Sequence, residues 1–151
     1  MHQLLIPMRI PRFFLVCVVT LLFAGTATPA LAQSNEAEVD TAKAAAQEWL
    51  DLLDANRYEA TWETAASMFR AQVTAEQWAQ QIQQAHSQLD SLRSRKLVAA
   101  RYTTSLPNVP EGEYVVAQYR AQYGDTNTVE TITLMKDDEA WRTAGYFVQP
   151  E

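Results

Sequence analysis

Three strands and two turns follow one another in residues 114–148, which read YVVAQYRAQYGDTNTVETITLMKDDEAWRTAGYFV. At the start of this stretch, apolar or aromatic residues alternate with polar ones, which is the pattern of a strand with one buried face. The residues predicted to lie on the buried face are Val115, Ala117, Tyr119, Ala121 and Tyr123. The composition of residues 124–127, GDTN, predicts a turn that ends this strand.

The rest of the stretch predicts two further strands, at residues 128–136 and 140–148, joined by an acidic turn at 137–139. Connections this short do not allow a crossover, so the strands are expected to pair antiparallel in chain order. Residues 95–104, RKLVAARYTT, are also rich in strand-forming residues, and we expect them to join the same sheet. The C-terminal half therefore predicts a four-stranded antiparallel sheet.

Three amphipathic helices are predicted before the sheet, over residues 40–55, 58–69 and 74–89. The start of the third is marked by Thr74 and Gln77, whose spacing is that of a capping box. Helices that precede a run of strands are typical of the α+β class. We expect three N-terminal helices packed on one face of a curved four-stranded antiparallel sheet, a cone-like roll.

The first 32 residues have the composition of a signal peptide. Arg9 and Arg12 precede an apolar run at residues 13–24, and a small-residue stretch follows. A helix that spans a membrane needs about 20 apolar residues. The run is shorter than that, so a stable membrane span after export is not expected, and a retained anchor is the weaker interpretation.

Cleavage of the signal peptide is expected between Ala32 and Gln33, after an A-x-A triplet. Residues 33–39 would then form a flexible leader, and residues 40–151 a single α+β domain. We infer export to a bacterial periplasm or secretion. The only cysteine, Cys17, lies in the signal peptide, so the exported domain is expected to hold itself together without disulfides.

Composition argues against several functions. The chain has 12 Lys and Arg against 18 Asp and Glu, a net charge of −6. Nucleic-acid binding depends on clustered cations that contact phosphates, so no nucleic-acid partner is expected. Four glycines are too few for a glycine-rich phosphate loop, and no cofactor is predicted. No metal site is predicted either, because His86 has no second ligand at metal-binding spacing.

Aromatic and turn positions form a recognisable pattern over residues 42–148. They lie in the segments 49–50, 58–69, 73–78, 94–95, 110–119, 130–131 and 141–147. This pattern resembles the bacterial family called domain of unknown function 4019. The resemblance implies a cone similar to nuclear transport factor 2 and cystatin-like proteins, in which helices lean over a bent sheet and can leave a pocket. It implies no reaction and no catalytic residues.

Glu130 is the candidate catalytic residue. It shares a strand face with Ile132, so apolar surroundings are expected to raise its pKa. Cone-shaped relatives include isomerases and cyclases in which a pocket carboxylate acts as the base and a tyrosine stabilises the oxyanion. Tyr146 is the candidate for the second role, with Tyr114 and Tyr119 as alternatives.

The competing interpretation of Glu130 is structural. It would form an ion pair across the sheet with Arg95, Arg101 or Arg142. Such pairs are common on strands, and analogy of fold does not by itself establish chemistry. We therefore favour the structural interpretation.

Trp49, Trp62, Tyr119 and Trp141 are candidate ligand-binding residues, because large side chains with polar tips often line hydrophobic sites. Their spacing also explains most of them as core. The main interpretation is a non-enzymatic module that binds a small hydrophobic ligand or an envelope protein partner. The alternative is a small isomerase-like or cyclase-like enzyme that uses Glu130 and a tyrosine. An exposed edge strand would also allow a homodimer.

Overall fold

The computed structural model of the chain describes residues 30–151. The helices are α1 Ala30–Asp54, α2 Tyr58–Glu63, α3 Ser67–Gln72 and α4 Ala75–His86, and the strands are β1 Leu92–Thr103, β2 Tyr114–Tyr123, β3 Thr126–Asp137 and β4 Ala140–Pro150. The predicted α+β fold, with helices followed by a four-stranded antiparallel sheet, is confirmed. Within the described residues, no helix is long and apolar enough to cross a membrane.

The sheet is open, and its strands lie in the order β1-β2-β3-β4, each antiparallel to the next. β1 and β4 are therefore its edges. The alternation predicted for β2 is confirmed, since Val115, Tyr119 and Tyr123 are buried. Ile132 and Leu134 on β3 are buried in the same core cluster as Val115 and Tyr119. One face of the sheet thus packs against the helices.

The first helix begins at Ala30, well before the predicted start at Asp40, and the segment predicted as a flexible leader, residues 33–39, is helical. Tertiary contacts explain the difference. Lys136 Nζ donates to one oxygen of Glu38 (2.7 Å), and Trp141 Nε1 donates to the other (2.8 Å). These bonds join the first turns of α1 to β3 and β4, and a pattern confined to the N-terminal segment does not reveal them.

The predicted signal peptide lies outside the described residues over positions 1–29. Its last three residues are part of α1. Cleavage between Ala32 and Gln33 stays a prediction.

The second predicted helix, residues 58–69, is in fact two helices, α2 and α3. Between them the Ala66 N–H donates to the carbonyl of Thr143 on β4 (2.8 Å) instead of continuing a helix. The Ser67 N–H at the start of α3 donates to the Asp137 carboxylate (2.6 Å). These bonds to the sheet satisfy backbone groups that a continuous helix would otherwise have to satisfy. Helical periodicity alone does not contain this information.

The capping box of α4 is confirmed. Thr74 Oγ1 accepts from the Gln77 N–H (3.2 Å), and Gln77 Oε1 accepts from the Thr74 N–H (3.1 Å). This local signal depends only on residues three positions apart, which is why the sequence reveals it. The helix ends at His86, before the predicted end at residue 89.

Two indoles and a phenol form the centre of the core. The Trp49 ring centroid lies 6.1 Å from that of Trp78 and 5.4 Å from that of Tyr146. Thr61 of α2 is fully buried and joins the indoles, because Trp49 Nε1 donates to its carbonyl (2.9 Å) and Trp78 Nε1 to its Oγ1 (2.8 Å). Both indole N–H groups are therefore satisfied inside the core.

An added methyl group is expected to destabilise the protein at Gly124 but to have little effect at Gly145. Gly124 has φ of +55°, and a Cβ there would lie 2.5 Å from Asp90 Oδ2 and 2.7 Å from Asp90 Cβ. We expect Gly124→Ala to lower the free energy of unfolding by more than about 1 kcal/mol. Gly145→Ala should change it by less than about 1 kcal/mol, because the nearest atoms would lie 4.0 Å away. Urea unfolding measures both variants, and equal losses would contradict this reasoning.

Candidate functional site

Glu130 lies near the middle of β3, paired with Tyr119 on β2 and with Val148 on β4. Its side chain has 0% exposure. A buried carboxylate is stable as an anion only when charged or hydrogen-bonding partners replace the water it has lost. The surroundings of Glu130 therefore decide its chemistry.

Arg95 of β1 is the charged partner of Glu130. Its Nε donates to Glu130 Oε2 (2.5 Å), and its Nη2 donates to Oε1 (3.1 Å). The same guanidinium makes a bidentate pair with Asp54, the last residue of α1, at 2.6 and 2.9 Å. Of the three arginines considered, Arg95 forms the pair, and Arg101 and Arg142 do not. One side chain thus ties α1 to β1 and β3.

Two tyrosines complete the surroundings of Glu130. The Tyr123 hydroxyl (2.6 Å) and the Tyr146 hydroxyl (2.8 Å) both donate to Glu130 Oε1. Arg95 Nη2 also donates to the Tyr123 oxygen (3.1 Å). We call Asp54, Arg95, Tyr123, Glu130 and Tyr146 the Arg95–Glu130 network.

The expectation that the pKa of Glu130 is raised was wrong. Burial does raise it, but the hydrogen bonds and charge of Arg95, with the tyrosine hydroxyls, outweigh burial and hold the pKa below its usual value. Burial also raises the pKa values of Tyr123 and Tyr146, and the adjacent Glu130 carboxylate raises them further. At neutral pH the carboxylate is therefore charged, and both tyrosines are neutral donors.

This arrangement holds the Glu130 carboxylate in place and leaves neither of its oxygens available to a substrate. A general base needs an oxygen within hydrogen-bond reach of the proton that it removes. Both oxygens of Glu130 already accept bonds from within the fold, and the Tyr146 hydroxyl is committed to one of them. The geometry supports a structural role for both residues that were considered as catalytic.

His86, at the end of α4, packs against the network. Its ring centroid lies 5.9 Å from that of Tyr123 and 6.2 Å from that of Tyr146. Burial lowers the pKa of His86, and the negative charges of Glu130 and Asp54 offset this only in part. Its Nε2 is buried without a hydrogen-bond partner. In the part of the chain that the structure describes, no group of three or more potential ligand side chains could hold a metal ion.

Acidification is expected to destabilise the protein through His86. Its pKa is lower in the folded than in the unfolded chain, so below about pH 6.5 the unfolded chain binds more protons. The free energy of unfolding should be highest above about pH 6.5 and should fall as the pH decreases toward about 5. His86→Gln cannot titrate and should show a flatter profile in this range. Urea unfolding at several pH values compares the two proteins, and parallel profiles would rule out His86 as the cause.

The four aromatic residues predicted to bind a ligand do not line one site. Trp49 and Trp141 border a small cavity of about 200 Å³ between α1 and β4. The Trp62 ring is half-buried on α2, where its Nε1 donates to the carbonyl of Val73 (2.7 Å). Tyr119 lies in the core cluster. Most of this set therefore fills space inside the fold.

A larger groove, of about 800 Å³, lies along the edge strand β4. Helices α3 and α4, the loop at residues 106–109 and residues 144–147 of β4 line it, together with Tyr114 of β2 and Thr133 of β3. We call this feature the β4 groove. All of its lining residues are uncharged. They are Met68, Phe69, Gln72, Val73, Gln77, Trp78, Gln81, Leu106, Pro107, Val109, Tyr114, Thr133, Ala144, Gly145, Tyr146 and Phe147.

The sequence does not predict this groove. Tyr146 and Tyr114 line it, whereas the sequence suggests for both only the role of an oxyanion donor. Two signals were available: the uncharged run AGYFV at residues 144–148 and the glutamine-rich surface of the helix at 75–86. Neither signal shows that the strand and the helix lie side by side, because that depends on packing.

No curated protein matches the chain. The family described as "Protein of unknown function (DUF4019)" matches residues 45–146, a range that runs from α1 to β4 and includes every residue of the Arg95–Glu130 network. This range is more than half of the chain and includes most of its described elements. The protein therefore belongs to the DUF4019 family of proteins of unknown function.

Proposed function

We propose that the protein is an exported, non-enzymatic module that binds a neutral, hydrophobic ligand in the β4 groove, either a small molecule or a segment of an envelope protein. The observation that carries this proposal is the uncharged lining. Charged residues make up 20% of the chain, but none of them borders the groove. A charged ligand would lose hydration there without gaining a counter-charge, which is unfavourable. A neutral ligand avoids this cost.

The size and rigidity of the groove support the same proposal. Ligand sites commonly have volumes of about 300–1,000 Å³, are mainly apolar and contain a few polar groups that orient the ligand. The β4 groove has about 800 Å³ and carries the amides of Gln72, Gln77 and Gln81. Tyr146 lies in its lining, and its hydroxyl is held by Glu130 at 2.8 Å. The Arg95–Glu130 network thus holds part of the groove in position.

The enzyme alternative has less support. It needs a carboxylate that faces a substrate pocket, and Glu130 does not line the β4 groove. The Arg95 and tyrosine bonds occupy its oxygens. We therefore assign no catalytic step to Glu130 or Tyr146.

Export is the part of the proposal that rests on the N-terminal sequence. The order of Arg9 and Arg12, an apolar run and an A-x-A triplet supports cleavage before Gln33. Intact-mass analysis of the protein from a culture of its source should show an N-terminus at or near Gln33. A full-length species retained in the membrane fraction would contradict cleavage.

Ligand binding is tested by native mass spectrometry of the protein purified from its own envelope fraction. We expect a bound mass that leaves on unfolding, and binding of the neutral dye Nile red once that mass has been removed. Met68→Lys places a charge in the groove and should abolish both observations. Met135→Lys is the matched control, because Met135 is also half-buried but lies outside the groove.

Each result bears directly on the proposal. Loss of binding in Met68→Lys but not in Met135→Lys supports a site in the β4 groove. Equal binding by both variants would place the site elsewhere. Absence of a bound mass and of dye binding in the unmodified protein would overturn the proposal.

A further inference from the structure

The strand that borders the β4 groove has an open side. β4 is the last strand of the sheet, and every second residue directs its backbone groups away from β3. The bond from the Glu151 N–H to the Asn127 carbonyl (2.9 Å) fixes this alternation, so that Tyr146 and Val148 are the outward residues. Within residues 30–151, the bond from the Ala66 N–H to the Thr143 carbonyl is the only backbone hydrogen bond from another element to the open side of β4.

Residues 144–148 of this edge, between Arg142 and Pro150, lack the features that usually prevent strand pairing. Edge strands in native proteins commonly carry charges or proline, because unpaired backbone groups attract other chains. Residues 144–148 of β4, AGYFV, contain neither. Phe147 is 71% exposed there. The opposite edge strand, β1, carries Arg93, Lys96 and Arg101 as well as the buried Arg95. The two edges therefore differ, and β4 is the one suited to a partner strand.

Two walls border the open edge, one from α4 and one from the loop at residues 106–109. Trp78 and Gln81 of α4 border the β4 groove, and they also border a second cavity of about 220 Å³ that extends to Val148. The loop at residues 106–109 also borders the β4 groove. The two cavities together follow five residues of β4, which is about 17 Å of strand. A space of this shape accommodates one extended segment.

We propose that the ligand of the β4 groove is an extended, uncharged peptide segment of another protein, which adds to the sheet as a fifth strand beside residues 144–148. This inference rests on the proposed function and specifies its ligand. Main-chain bonds to Tyr146 and Val148 would supply affinity, and alternate side chains would contact the α4 wall and the loop. The uncharged lining selects against charged segments.

A free segment fits this edge better than a second copy of the chain. In a symmetric dimer, the same strand from each copy would have to meet at the interface. Each β4 is bordered by residues of its own α4 and its own loop, so a symmetric dimer would bring both sets of walls to one interface. A single strand has no such walls.

The test uses the blocked peptide acetyl-Val-Thr-Val-Thr-Val-amide and two N-methylated forms, one at residues 2 and 4 and one at residues 1, 3 and 5. Affinity is measured by titration, and the β4 amide signals of Tyr146 and Val148 are followed by NMR. We expect the parent peptide to bind and to shift both amides. One methylated form should lose at least tenfold in affinity, because only one set of peptide N–H groups faces β4.

Two exposed apolar residues provide matched protein variants. Phe147→Lys introduces a charge at the β4 edge and should weaken peptide binding at least tenfold. Val98→Lys introduces the same charge on β1, where the side chain is 55% exposed, and should leave binding unchanged. Urea unfolding of both variants establishes that each is folded.

The outcomes separate this inference from the proposed function. Equal affinity of all three peptides, or binding of Nile red without binding of the parent peptide, would overturn strand addition and leave a hydrophobic ligand site. Failure of both probes would overturn the proposed function as well. A dimer in sedimentation equilibrium that Phe147→Lys dissociates would overturn the inference in favour of a second copy.

Discussion

Arg95→Leu is expected to lower the free energy of unfolding by about 3–5 kcal/mol, the range found when one partner of a buried ion pair is removed. The variant would leave the fully buried carboxylate of Glu130 without its counter-charge, and it would also release Asp54 from a bidentate pair. Urea unfolding followed by circular dichroism measures the loss.

Arg101→Leu is the matched control for this experiment. Arg101 lies on the same strand, is exposed, and forms no ion pair with a described residue. Its replacement should change the free energy of unfolding by less than about 0.5 kcal/mol. Equal, small losses in the two variants would show that the network contributes little to stability.

The double variant Arg95→Leu and Glu130→Leu distinguishes two causes of the loss in Arg95→Leu. One is the isolated charge left on Glu130, and the other is the loss of the contacts that Arg95 itself makes. If the single variant is destabilised mainly because Glu130 is left as an isolated charge, removal of that charge should recover part of the loss. Strictly additive losses would mean that the two side chains act independently, which the 2.5 Å contact between them argues against.

Trp49→Ala should also cost about 3–5 kcal/mol, because it removes a large buried side chain and leaves a cavity. The Trp49 ring contacts Trp78 and Tyr146 across the interface between α1, α4 and β4. Its Nε1 donates to the carbonyl of Thr61, which would lose this partner. The variant therefore combines lost packing with a lost hydrogen bond.

Trp62→Ala is the comparison for Trp49→Ala. The same substitution is made on the adjacent helix, but Trp62 is only half-buried. We expect a clearly smaller loss of the free energy of unfolding, under about 3 kcal/mol. If Trp62→Ala destabilised the protein as much as Trp49→Ala, burial would not be the quantity that decides the cost.

Arg95→Leu and Trp49→Ala both change residues that help to hold the β4 groove in position. Tyr146 contacts Trp49 through its ring and Glu130 through its hydroxyl, and it also lines the groove. Ligand binding should therefore be measured in these variants only under conditions in which they are folded. Met68→Lys and Phe147→Lys act on the groove itself and are the variants that test function.

Much of the fold could be predicted because its signals are local. Alternation marked β2, short turns required β3 and β4 to pair antiparallel, and the Thr74–Gln77 spacing marked the start of α4. The break between α2 and α3 could not be predicted, because it depends on a bond from Ala66 to Thr143 on a distant strand.

The candidate site shows the same division. Glu130 could be identified as a buried carboxylate from alternation alone, and Arg95 as one of three candidate partners. The direction of the pKa shift of Glu130 could not be predicted from the sequence, since it depends on a guanidinium and two hydroxyls that converge from three strands. The β4 groove was missed because it arises where α4 and the loop at 106–109 meet the sheet edge.

The sequence by itself determined the α+β class, the antiparallel order of the last three strands and the acidic, cysteine-poor composition of the domain. These properties follow from periodicity and spacing over a few residues. Tertiary structure alone decided the charge state of Glu130, the length of α1 and the open edge along the uncharged residues 144–148 of β4. Each of these depends on the distance between groups far apart in the chain, and only folding sets that distance.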